Sequence, residues 1–148
     1  MLRHMPASRD EVTANLRAIR EAIRSAAERA GRDPAAVELV AAAKTVPPEP
    51  IAWAAEAGVR SIGHNYAREL RASRSALPDL DVRWHYIGAL QAGTAHQVAD
   101  AADVVQTVGG ERAARPASRR AARPPPTVCT TSAASATCGA VPAWSAPM

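Results

Sequence analysis

Four short apolar stretches begin near residues 37, 59, 82 and 103, about 22 residues apart, and a helical pattern fills each interval. A tight antiparallel hairpin needs far fewer connecting residues. A crossover between parallel strands needs a dozen or more, usually as a helix. The spacing therefore predicts repeated βα units around a parallel sheet. Right-handed crossovers leave two architectures, a (β/α) barrel and an open doubly wound sheet.

The first helix reads clearly. Ser8-Arg9-Asp10-Glu11 has the form of a capping box, and Val12, Leu16, Ile19, Ile23 and Ala27 recur at helical spacing. Gly31 supplies a stop, so a helix is expected over 9–30. Residues 37–43 form an apolar run between Asp33-Pro34 and Pro47-Pro48, read as a buried strand ending near Lys44. A helix over 48–57 follows, with proline in its first turn and Gly58 beyond its end. Further strands are expected over 59–62, 81–87 and 103–108, and further helices over 65–76 and 91–101, with Asn65 as a candidate N-cap.

At 148 residues the chain suits one domain, and 47% hydrophobic with 22% charged residues excludes a wholly disordered or collagen-like polymer. No apolar run reaches the length of a transmembrane helix, and Met1 to Asp10 lacks a secretory apolar segment, so a cytoplasmic location is expected. Residues 1–108 carry 13 basic and 13 acidic side chains, so the net charge of +4 comes wholly from 109–148. A neutral body argues against a specific nucleic-acid or membrane partner.

Residues 109–148 differ in kind from the rest. They contain no Leu, Ile, Phe or Tyr and hold six of the twelve prolines, including Pro124-Pro125-Pro126. Such a segment buries too little apolar surface to offset its ordering entropy. The expectation is disorder over 124–148 and at most a frayed helix over 109–123, interrupted at Pro116. Loss of Leu and Ile after Val108 reads as a truncated or frameshifted product. Cys129 and Cys138 have a spacing that fits no common zinc site and are expected as free thiols.

Of 18 basic residues, only Lys44 is lysine. It stands at the carboxyl end of the first strand, the edge where parallel α/β folds bind ligands. A lysine partly withdrawn from water there has an amine free for Schiff-base chemistry. An ordinary solvated lysine is the alternative. Gly63-His64-Asn65-Tyr66 follows the second strand, and the Asn65 amide either caps the next helix or reaches a ligand. In Trp84-His85-Tyr86-Ile87-Gly88, His85 alternates away from Trp84 and Tyr86, toward a ligand or a hydrogen-bonded core position. The four histidines lack metal-ligand spacing, and no dinucleotide fingerprint, phosphate loop or serine elbow occurs.

Ala43-Lys44-Thr45-Val46-Pro47, Gly63-His64-Asn65-Tyr66 and Trp84-His85-Tyr86-Ile87-Gly88-Ala89-Leu90-Gln91, in this order, resemble the pyridoxal-phosphate homeostasis proteins (the YggS/PROSC group). That group is similar to the N-terminal barrel of alanine racemase. The resemblance covers about residues 8–108 and implies an incomplete TIM-like (β/α) barrel of about four βα units, with 109–148 as a tail. It also implies pyridoxal 5′-phosphate (PLP) held as a Schiff base on Lys44, with Asn65 and His85 lining the pocket. No catalytic turnover is implied, only buffering and delivery of the cofactor inside the cell.

The departures are specific. The family's Glu in its G-E-N-Y motif is His64 here, which alters the charge expected at the pocket. Leu90-Gln91-Ala92-Gly93-Thr94 lacks the family's Asn and Lys. A full barrel needs about 200 residues. The family's late phosphate-binding stretch and its Arg facing the pyridine nitrogen have no counterpart in this sequence. Weak PLP binding and self-association through unpaired strand edges are therefore expected. Two other readings are weighed: a non-catalytic interaction fragment with a basic tail, and a racemase-like enzyme. The second lacks a base opposite Lys44.

Overall fold

The structure is a computed structural model that describes residues 8–108, together with Gly110, Arg112 and the pair Thr127-Val128. Helix α1 (Arg9–Arg29) starts at Ser8, whose hydroxyl accepts from the Glu11 amide at 3.2 Å. Beyond its end, Gly31 takes φ 64°, a conformation cheap only for glycine. Then follow β1 (Val40–Ala42), α2 (Pro48–Glu56), β2 (Ser61–His64), α3 (Ala67–Ala76), β3 (Arg83–Tyr86), α4 (Ala95–Ala101) and β4 (Val104–Val105). A last strand, β5, comprises Thr127–Val128.

All five strands are parallel and lie in the order β1-β2-β3-β4-β5. A doubly wound sheet reverses its direction of strand addition partway across. Here no reversal occurs, so of the two architectures left open by the sequence the barrel-type winding is the one adopted. With right-handed crossovers throughout, the helices gather on one face. Ala43, Ile62, Trp84, Tyr86 and Val105 project to that face and pack in one cluster with Leu16, Ile51, Leu70, Ala95 and Val98 of the helices.

The opposite face is different. Register aligns Ala42, Gly63, His85 and Val104 in one row, and Val40, Ser61 and Arg83 in another. This is the concave side of a partial barrel, and it carries a charged and polar set in place of a continuous apolar layer.

Several boundaries depart from the sequence reading, each for a local reason. β1 starts later than residue 37 because Pro34–Ala36 forms a 3₁₀ turn, capped by the Asp33 carboxylate accepting from the Ala35 amide at 2.9 Å. β2 begins at Ser61 because Val59 bonds back to the Ala54 carbonyl at 3.0 Å, tying it to the end of α2. α4 begins only at Ala95, because the Thr94 amide donates to the Gln91 carbonyl at 3.1 Å and closes a turn first.

The expected disorder over 124–148 is corrected at one point: Thr127 and Val128 pair in parallel with Val104 and Val105. Both are β-branched, and the outer edge of β4 offers unpaired backbone groups that a short strand satisfies. The remainder of 109–148, with Cys129, Cys138, Pro116, Arg115, Arg119, Arg120 and Arg123, lies outside the described residues. Among the described residues no helix is long and apolar enough to cross a membrane.

Leu70 is fully buried between α3 and the sheet. Leu70→Ala is expected to cost about 2–5 kcal/mol through lost burial and the cavity left behind, measured as a shift in the urea denaturation midpoint.

Candidate functional site

The site lies where β1, β2, β3 and β4 end. Lys44 comes two residues after Ala42, in a turn closed by the Val46 amide donating to the Ala43 carbonyl at 3.2 Å. Its side chain is exposed, with Nζ 5.6 Å from the centre of the Tyr66 ring, so the partial withdrawal from water expected for it is not found. The reason is geometric: β1 is the edge strand, and no strand pairs with its outer side among the described residues. Thr45 follows with φ 58°, an unusual backbone state for a β-branched residue.

Asn65 follows β2 and is exposed. It is not the N-cap of α3. That position belongs to Tyr66, which makes no side-chain capping bond. The backbone at Asn65 is nevertheless tightly placed. A Cβ on Gly88 would stand 2.1 Å from the Asn65 carbonyl oxygen, so only glycine admits this approach between the ends of β2 and β3.

His85 is buried, at 3% exposure, on the concave face. Gln106, just beyond β4, faces its Nδ1 at 3.0 Å. With the Gln106 amide donating, the neutral ring carries its proton on Nε2. That nitrogen has no hydrogen-bond partner, and the Glu38 carboxylate stands 3.9 Å away. Glu38 itself accepts from the Ser61 hydroxyl and from the Arg83 guanidinium. The Ser61 bond chiefly, and then Arg83, hold the Glu38 carboxyl below its ordinary pKa. Burial pushes the His85 pKa down against the opposing pull of Glu38, which favours the neutral ring.

Sequence reasoning brought Lys44, Asn65 and His85 to one end of the sheet, and the structure brings them there. It missed Gln106 and Glu38 as neighbours of His85, and Ser61 as a partner of Glu38. The only available signal was their even register with Lys44 and His85 on successive strands. His64 falls elsewhere than expected. Strand alternation turns it to the helix side, where it is 1% exposed and stacked on Trp84 with ring centres 6.1 Å apart. It therefore adds no charge to the concave face. Both of its ring nitrogens are buried without hydrogen-bond partners, and Glu69 Oε2 lies 4.0 Å from Nδ1. Burial lowers its pKa, and Glu69 opposes this only in part. No group of three or more metal-ligating side chains occurs among the described residues.

The two histidines give the fold a pH dependence. Their folded pKa values lie below the ordinary one, so an unfolded chain takes up protons that the folded chain refuses. Stability should therefore fall as pH drops below about 6.5. His64→Leu removes one such group and two unpartnered nitrogens. It should stabilise the chain by about 1 kcal/mol at neutral pH and flatten the acid slope, as read by urea denaturation at several pH values. Gly88→Ala should instead destabilise by about 2 kcal/mol or more, because backbone must move to admit the methyl group.

No protein-family model matches the chain. It is 37% identical over 120 residues to the pyridoxal phosphate homeostasis protein of Pseudomonas aeruginosa, covering 80% of this chain and 52% of that protein. It is 36% identical over 121 residues to the protein of that name from Escherichia coli K12, covering 79% of this chain and 52% of the relative. The chain thus spans about half the length of the curated relatives it matches. Among solved structures, PipY of Synechococcus elongatus without PLP superposes with a TM-score of 0.60 at 32% identity, covering 72% of this chain and 50% of PipY. PipY with PLP bound gives a TM-score of 0.55 at 33% identity, covering 65% of this chain and 45% of PipY. A structure from Bifidobacterium adolescentis reaches 0.69 at 30% identity, covering 76% of this chain and 50% of that one. In sequence and in fold alike, over the half of their length that it spans, the chain is similar to the pyridoxal phosphate homeostasis proteins.

Proposed function

We propose that this chain binds pyridoxal 5′-phosphate through Lys44, with Asn65 and His85 lining the cofactor site, and that it serves cofactor homeostasis without catalytic turnover. One observation carries the reading. The single lysine of the sequence stands at the carboxyl end of the first strand, at the end of the sheet where Gln106 meets His85. Similarity to PLP homeostasis proteins, and to PipY in a PLP-bound form, supports it.

The residues present suit such a group. Gly63 is required where the backbone of the concave face meets its neighbours, since a Cβ there would stand 3.0 Å from Ile87 and 3.2 Å from Val40. Beside it, His85 offers a buried Nε2 with no partner. When bound, PLP supplies an aldehyde that condenses with a primary amine and releases water. Lys44 supplies that amine, exposed and within reach of the Tyr66 ring face. Gln106 fixes the tautomer of His85, and Glu38 orients the far side of that ring. A racemase would need a second base facing Lys44, which this reading does not include.

We take residues 1–108 as the N-terminal part of the barrel. The described residues contribute the amine and a ring-facing wall but no phosphate cradle, so affinity for PLP is expected to be weak: each charge-assisted phosphate contact contributes about 1.5–3 kcal/mol. The open edge of β1 supports self-association as a further part of the reading.

The test is a borohydride trap. The purified chain is incubated with PLP, reduced, and digested for mass spectrometry. The only competing amine is the chain's own α-amine, because Lys44 is the sole lysine. Preferential labelling of Lys44, lost in Lys44→Arg, is expected. Equal labelling of Lys44 and the α-amine would refute a formed site.

A further inference from the structure

The turn that carries Lys44 is held in a costly conformation. Thr45 has φ 58°. For a β-branched residue this left-handed state is strained, and such strain persists only where the surroundings enforce it. Two of the bonds at this turn are internal to it. The Thr45 hydroxyl donates to the Lys44 carbonyl at 2.7 Å, and the Val46 amide donates to the Ala43 carbonyl at 3.2 Å. One comes from outside: the Thr45 amide donates to Glu69 Oε2 at 3.4 Å, across 24 residues of sequence.

Glu69 is well placed for this. It lies in the first turn of α3, where the helix N-terminus favours a carboxylate. It is partly buried, with 26% of its side chain exposed. Its only other close polar neighbour among the described residues is the His64 ring, and no arginine or lysine pairs with it there.

We propose that Glu69 is a positioning residue for Lys44. By accepting from the Thr45 amide it secures the left-handed turn, and the turn sets the direction in which the Lys44 side chain leaves β1. This rests on the reading of Lys44 as the cofactor-binding amine. It adds a residue from the second βα unit whose carboxylate never touches the cofactor.

The variants separate this from a plain structural role. Glu69→Gln keeps a carbonyl oxygen able to accept the Thr45 bond but loses the charge at the start of α3. Glu69→Ala loses both. Thr45→Gly removes the strain, since glycine adopts the left-handed state freely. Two readouts are taken on the full chain: the rate of Lys44 labelling by PLP and borohydride relative to the α-amine, and hydrogen exchange at the Thr45 amide, which needs no PLP.

Glu69→Ala should slow Lys44 labelling and speed Thr45 exchange, each about fivefold. Glu69→Gln should stay close to the parent in both. Adding Thr45→Gly to Glu69→Ala should restore labelling. If Glu69→Gln fails as badly as Glu69→Ala, helix charge is responsible and the proposal is overturned. Unchanged Thr45 exchange in Glu69→Ala overturns it as well. If the parent chain is not labelled at Lys44 at all, the cofactor reading fails on its own. Thr45 exchange then decides separately whether Glu69 secures the turn.

Discussion

Everything in this fold depends on one face of the sheet being dry. Ile62, Trp84, Tyr86 and Val105 face the helices from adjacent strands and meet Leu70, Val98 and Ile51 there. Burying such side chains yields about 1.5–3 kcal/mol each, the largest favourable contribution available to a chain of this size. Because side chains alternate along a strand, committing these residues to the helix side commits their neighbours to the other side. Gly63, His85 and Gln106 are thereby carried to the concave face. The site is a consequence of the core's register.

That concave face is unlike the interior of a packed barrel, which is layered with branched apolar side chains. Here Glu38, Ser61, Arg83, His85 and Gln106 form a polar set across β2, β3 and the segments before β1 and after β4. Linked polar groups of this kind keep a neutral histidine in one orientation. They do so where its pKa is already depressed by burial. The result is a ring whose buried Nε2 is left without a hydrogen-bond partner.

Much of this was legible in the sequence. Strand–helix alternation at an even spacing, the first helix with its cap, and the position of Lys44 follow from local patterns alone. The choice between barrel and doubly wound sheet did not. It depends on strand order, a non-local property that no local pattern encodes. The Asn65 cap failed because backbone geometry at Tyr66, not side-chain chemistry, fixed where α3 begins. His64 misled for a related reason: with the strand taken as ending at Ile62, its side was undefined, and β2 in fact runs through it. Thr127–Val128 was hidden because a two-residue strand draws its stability from the edge it joins, not from its own composition.

The strand ends are fixed by backbone more than by side chains. Gly88 lies against the Asn65 carbonyl so closely that no larger residue fits. Thr45 is held left-handed beside Lys44. The Ile87 amide donates to the His64 carbonyl at 3.0 Å, and the Gln106 amide to the Tyr86 carbonyl at 3.0 Å, extending the sheet past its formal ends. An exposed lysine on an edge strand would otherwise sample many directions, at a cost in side-chain entropy whenever one was required. Here the Lys44 side chain keeps its freedom while its point of departure is fixed. Under the proposed role of Lys44 as the cofactor-binding amine, such an arrangement would suit reversible uptake: the backbone would define where bonding occurs, and the solvated side chain would let the ligand enter and leave.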